Sequence, residues 1–81
     1  QNYPNPFNPS TNIKYALPEA ASVSLVIYDL LGRRVAVLVN EEKTAGWNEM
    51  SWNTRGLASG TYFYRLQAGN YTSVKKMMLL K

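Results

Sequence analysis

The chain has 81 residues, with nine Lys and Arg against five Asp and Glu and a net charge of +4. It has no cysteine and no histidine, which excludes disulfides, thiolate metal sites and the commonest general base. That length supports one domain with a small core, and no apolar run approaches the ~20 residues of a membrane-spanning helix.

Residues 1–10 hold three of the four prolines. Each fixes φ, removes a donor and biases its predecessor toward extended geometry. The segment is expected as an extended, Pro-rich lead-in to a single folded domain over 11–81. Tyr3 and Phe7 are large apolar groups that a solvated linker does not need, and at least one is expected to pack on the domain. The chain begins at Gln1 rather than Met and reads as a piece of a longer protein.

From Thr11 to Leu17, Ile13, Tyr15 and Leu17 alternate with Asn12, Lys14 and Ala16, the pattern of a half-buried strand ended by Pro18. The stretch from Ser22 to Asn40 then organises the chain. Val23, Leu25 and Ile27 share one face of an extended segment, and Val35, Val37 and Val39 are expected to do the same after the turn. Asp29 and Gly32 suit the first and fourth positions of a type I turn, and β-branched residues favour the pleat. This spells a β-hairpin, which alone is marginal in water and needs a second layer. Glu41 to Gly46 is polar with a glycine and is expected as a loop. Trp47 to Asn53 reads as a short strand with Met50 and Trp52 on one face, and Thr54 to Gly60 as a connection carrying Leu57. Gly60 to Ala68 puts Tyr62, Tyr64, Leu66 and Ala68 on one face. Gly69-Asn70 predicts a tight hairpin of primed type into a last strand, Thr72 to Leu80, whose end is apolar on both faces. No segment carries a helical period.

Short strands at this spacing predict an all-β fold, an antiparallel Ig-like or fibronectin-like β-sandwich of six to seven strands. The expected core is Ile13, Tyr15, Leu25, Ile27, Val35, Val37, Trp52, Leu57, Tyr62, Tyr64, Leu66 and Val74. The run Leu57-Ala58-Ser59-Gly60-Thr61-Tyr62 has the form of a tyrosine corner, in which the hydroxyl returns to backbone a few residues upstream.

Catalysis needs a nucleophile or an acid–base pair within hydrogen-bond reach. Of the five acids only Glu41 and Glu42 are adjacent, and neighbours on an extended chain point apart. Asp29 is explained by the turn. No glycine-rich phosphate loop opens a helix, and a small sandwich offers little cleft for paired carboxylates. The chain is expected not to be an enzyme and to use no cofactor or metal. Its basic residues are scattered, without the stripe that nucleic acid requires. Trp47, Trp52, Phe63 and the tyrosines could form a sugar-stacking platform. The plainer reading is that Trp52, Tyr62 and Tyr64 fill the core while Trp47 covers an edge.

Asn2-Tyr3-Pro4-Asn5-Pro6-Phe7-Asn8-Pro9, Ile13-Lys14-Tyr15, Ile27-Tyr28-Asp29-Leu30-Leu31-Gly32, Ala45-Gly46, Trp52, Leu57-Ala58-Ser59-Gly60-Thr61-Tyr62 and the closing Lys75-Lys76-Met77 occur in this order over nearly the whole chain. Together they resemble the type A C-terminal sorting domain of the bacterial type IX secretion system. The Ig-like domain of flagellar hook-capping proteins is similar in its Tyr-Asp-x-x-Gly hairpin and Gly-x-Tyr strand. The resemblance implies a non-catalytic signal that directs a cargo protein across the outer membrane of a Bacteroidota-like bacterium to the cell surface or into the medium. It implies as partners an N-terminal cargo domain, the outer-membrane translocon, a shuttle protein and a surface sortase. Its motif residues map onto Pro4, Asn5, Pro6, Gly32, Gly46, Gly60, Tyr62, Lys75 and Lys76. The recognition element is expected in the last strand, Val74, Lys75, Lys76, Met77, Met78, Leu79, Leu80 and Lys81, because an exposed apolar edge invites pairing with a partner or, weakly, with a second copy. The alternative is an Ig-like spacer or carbohydrate-binding module of a secreted surface protein.

Overall fold

The computed structural model describes residues 10–80. The lead-in with Tyr3 and Phe7 therefore lies outside the described residues. Every regular element among those described is a strand: β1 Ser10–Leu17, β2 Ala21–Tyr28, β3 Arg34–Lys43, β4 Gly46–Asn53, β5 Gly60–Ala68 and β6 Tyr71–Leu79. They form two antiparallel sheets, one of two strands in the order β1-β4 and one of four in the order β3-β2-β5-β6. The fold is thus a six-stranded β-sandwich.

The period-two patterns decide which residues meet. β1 pairs with β4 so that Ile13 faces Met50 and Thr11 faces Trp52 across the strands. Leu25 pairs with Leu66 and Ile27 with Tyr64 between β2 and β5, and Tyr62 pairs with Met77 between β5 and β6. The apolar faces of the two sheets close on each other around Ile13, Leu25, Ile27, Met77 and Leu79, all essentially without solvent contact. Trp52 of the small sheet meets Tyr62 of the large one edge to face, with ring centroids 5.9 Å apart, a favoured aromatic geometry. Burying one such aliphatic side chain contributes about 1.5–3 kcal/mol, so this seam is the main source of stability in a domain with no cross-link.

Four expectations change. β3 does not alternate strictly: its register against β2 shifts between Leu25 and Val26 and again between Ile27 and Tyr28. These bulges leave Leu38 and Val35 as the extra residues, and Val37 turns to the outer face, where it is 48% exposed. Val74 also leaves the expected core and is 59% exposed, because the inward positions of β6 are taken by Met77 and Leu79. The stretch from Glu41 to Gly46 is mostly strand, since Glu41, Glu42 and Lys43 go on pairing with β2 and only 44–45 link β3 to β4. Trp47 lies opposite Ala16 on the outward face of the small sheet and is largely exposed rather than covering an edge. Leu57, Tyr64 and Val35 pack against the core only partly buried.

Candidate functional site

The β2–β3 turn is built by one carboxylate and one glycine. The Gly32 amide donates to the Asp29 carbonyl and the Asp29 amide to the Arg33 carbonyl, both at 3.0 Å. Asp29 Oδ1 accepts from the Leu31 and Arg33 amides at 2.9 Å each, and Arg33 Nε donates to Asp29 Oδ2 at 2.8 Å. Gly32 closes the loop at φ +80°, a conformation that costs an L-residue about 1–2 kcal/mol. The Arg33 amide first, and then the Arg33 side chain and the Leu31 amide, hold the Asp29 carboxyl below its ordinary range. Asp29 is therefore spent on the turn and is not a free catalytic acid. The side chains of the two leucines in the loop take no part in these hydrogen bonds; Leu30 is 66% and Leu31 77% exposed.

At the same end of the sandwich, Tyr62 donates from its hydroxyl to the Ala58 carbonyl at 2.8 Å. This is the expected tyrosine corner, and it pins the connection from β4 to β5. Gly60 opens β5 opposite Leu79. Gly46 lies at the far end, where β4 starts opposite Leu17. The glycines of the sorting motif thus set turns at both ends and form no single pocket. Pro4, Asn5, Pro6 and Lys81 lie outside the described residues.

Lys75 and Lys76 are exposed but on opposite faces of β6. Lys75 lies opposite Tyr64 on the inward side, and Lys76 opposite Phe63 on the outward side. The small sheet has only two strands, so it leaves the inner face of β6 open near Lys75. Lys14, Tyr15, Tyr64, Tyr71 and Lys75 line a groove there. Burial pushes the Tyr64 hydroxyl above the usual tyrosine range.

The outer face of the four-stranded sheet was not foreseen. One cross-strand row reads Arg34–Tyr28–Phe63–Lys76, and the next Val37–Val26–Arg65–Val74. Val26 is buried to 5% yet stands apart from the sandwich core, so side chains of this face cover it. The Arg65 guanidinium carbon sits 5.7 Å from the Tyr28 ring centroid, a cation–π distance. Two ion pairs form among the described residues, Arg33–Asp29 and Lys43–Glu41, and neither uses Arg34, Arg65 or Lys76. Farther along, the same face turns polar, with Asn40, Ser24, Gln67 and Thr72 in one row. The signal for this face lay in the sequence as the apolar pairs at even positions of β6, Val74 and Met78, and in Val26 and Tyr28 on β2.

A small all-β domain whose marked residues build turns and an exposed last strand has the features of a recognition module. The model of the secretion-system C-terminal sorting domain matches residues 1–80, and the chain belongs to that family. It is a C-terminal sorting signal of type IX secretion, which marks proteins for export to the cell surface or the medium and engages the secretion machinery as a cargo tail. Neither a curated protein nor a solved structure gives a significant match.

Proposed function

We propose that the folded domain acts as an address without catalysis, read in turn by the outer-membrane translocon, a shuttle protein and a surface sortase, while an N-terminal cargo domain rides with it. The observation that carries this reading is the division of labour along β6. Met77 and Leu79 are seated in the core, while Val74, Lys75 and Lys76 remain exposed on an edge strand and Leu80 just beyond its end. Such a strand is rigidly held and still accessible to a partner. The acids Asp29 and Glu41 are engaged by Arg33 and Lys43, which supports a role in display.

The test appends the 81 residues to a periplasmic reporter in a bacterium with the type IX system and measures the fraction at the surface. Deleting Val74 to Lys81 removes two core residues and so unfolds the domain as well as removing its address. The discriminating variants are therefore Val74→Ser and Leu80→Ser, which leave the inward side intact. Export lost with folding retained supports recognition through this strand; export unchanged in both sinks it.

A second reading has one favouring observation. Trp47 is 79% exposed on the outward face of the small sheet, beside Lys14, Asn48 and Glu49, a layout in which a sugar ring can stack on indole while polar groups take its hydroxyls. Polysaccharide binding by the isolated domain, abolished by Trp47→Ala, would establish it; binding that survives the substitution would remove it.

A further inference from the structure

We propose that the turn end of the outer face of the four-stranded sheet is the docking surface of this domain, and that its occupant is an acidic protein surface with an aliphatic centre on the export machinery. The inference deepens the proposed function and rests on it. It differs in placing recognition on a face assembled from β2, β3, β5 and β6 rather than on the last strand alone.

Three observations converge. First, the β2–β3 turn is closed by Asp29 and Gly32, yet it carries two leucines at 66% and 77% exposure. A turn with no partner is better served by polar side chains, and adjacent exposed leucines at a rigid tip are characteristic of a contact surface. Second, the rows next to that tip carry Arg34, Arg65 and Lys76 with no carboxylate among them. The nearest acid, Asp29, is held by Arg33 at 2.8 Å, and Glu42 pairs with Ser22 at the opposite end of β2. The free charge at this end is of one sign. Third, the surface is fixed before any partner arrives. The residues stand on paired strands, and Arg65 is stacked on Tyr28, so little ordering entropy is lost on binding.

Charge complementarity selects the occupant. A second copy docked face to face would set these cations against their own equals, a repulsive juxtaposition. Nucleic acid is a poor match for three cations on a flat pleat, because tight phosphate binding uses about 6–10 contacts. A protein surface with carboxylates around an apolar patch satisfies both the leucines and the cations, in the usual arrangement of an apolar centre and a polar rim.

The experiment uses the full chain fused to a reporter in a type IX-competent bacterium. The triple variant Arg34→Glu, Arg65→Glu, Lys76→Glu is compared with Arg55→Glu, which reverses charge elsewhere. The face variant is expected to lower surface export about tenfold or more, while the control stays near the unaltered tail. Leu30→Ser with Leu31→Ser is expected to lower export without moving the melting midpoint by more than a few degrees. Should the triple reversal perturb folding, the milder Arg34→Gln, Arg65→Gln, Lys76→Gln set gives a smaller loss in the same direction. A photo-crosslinker at position 31 should then join the tail to a secretion component at an acidic surface, and reversing that surface to lysine should restore export of the triple-Glu tail. Equal export of a folded face variant and the unaltered tail overturns the inference. So does a loss of export that tracks lost binding to phosphatidylglycerol vesicles, or lost self-association in sedimentation. If the unaltered tail is not exported, the proposed function itself fails and this inference falls with it, an outcome distinct from the others.

Discussion

The two faces of the four-stranded sheet are both apolar over part of their area, yet they do opposite things. The inner face carries Leu25, Ile27, Met77 and Leu79, which have almost no solvent contact. The outer face carries Val37 and Val74 at 48% and 59% exposure, with Arg65 and Lys76 between and beside them. What separates them is the small sheet, which covers only one side. A stripe of alternating apolar residues identifies which side chains share a face, but when both stripes are apolar it does not say which is covered.

The sharpest way to break this contrast is at the last residue of β6 and the one that follows it. Leu79 is fully buried and Leu80 is 46% exposed. Leu79→Ala is expected to cost about 2–5 kcal/mol through lost transfer energy and a residual cavity, enough to unfold much of so small a domain. Leu80→Ala is expected to stay within about 0.5 kcal/mol. Denaturant titration of the two variants checks the pair, and similar midpoints would mean that the faces are not distinguished as described.

The turn that presents Leu30 and Leu31 gives the next effect. A Cβ at Gly32 meets nothing within 4 Å, so Gly32→Ala changes only the strain of φ +80° and is expected to cost about 1–2 kcal/mol. The tyrosine corner follows. Tyr62→Phe leaves the ring against Trp52 and removes only the bond to the Ala58 carbonyl, so a loss of about 1 kcal/mol is expected. In a domain of this size that lowers the melting midpoint by about 4–8 °C.

Much of this contrast was legible in the residues themselves. The hairpin turn could be read because Asp29 and Gly32 each have one strong local reason to be there, and the tyrosine corner because its spacing is fixed by chain geometry. The primed hairpin is equally local. Ala68 pairs with Tyr71 and Gly69 takes φ +59° while Asn70, like every non-glycine among the described residues, does not have positive φ, which fits type II′ rather than I′. Val37 and Val74 were misplaced for non-local reasons. The bulges that turn Val37 outward depend on how β3 fits against β2, and the exposure of Val74 depends on the register with β5, which sets it opposite Arg65 on the face the small sheet does not cover. The recognition strand was expected as a unit, but pairing with β5 divides it residue by residue between core and surface.

The smallest expected effect concerns the charge that holds the leucine tip. Asp29 titrates below its ordinary range in the folded chain, mainly through the Arg33 amide and then its guanidinium. A carboxyl whose folded pKa is depressed stabilises the fold above its unfolded pKa, about 3.9, and that stabilisation is lost as pH falls through the folded value. The unaltered chain and Asp29→Asn are therefore expected to differ slightly at neutral pH, in favour of the former, and to converge below about pH 4. Because Asp29 lies at the surface with an exposed partner, salt should narrow the neutral-pH gap further. Amide exchange at Leu31 and Arg33 is the sensitive readout, since their N–H groups donate to the carboxylate. Acid should speed opening at those two amides, corrected for intrinsic exchange rates, more than at the Leu25–Leu66 pairing in the sheet. Uniform loss of protection across both sites would show that the tip and the sandwich do not open separately.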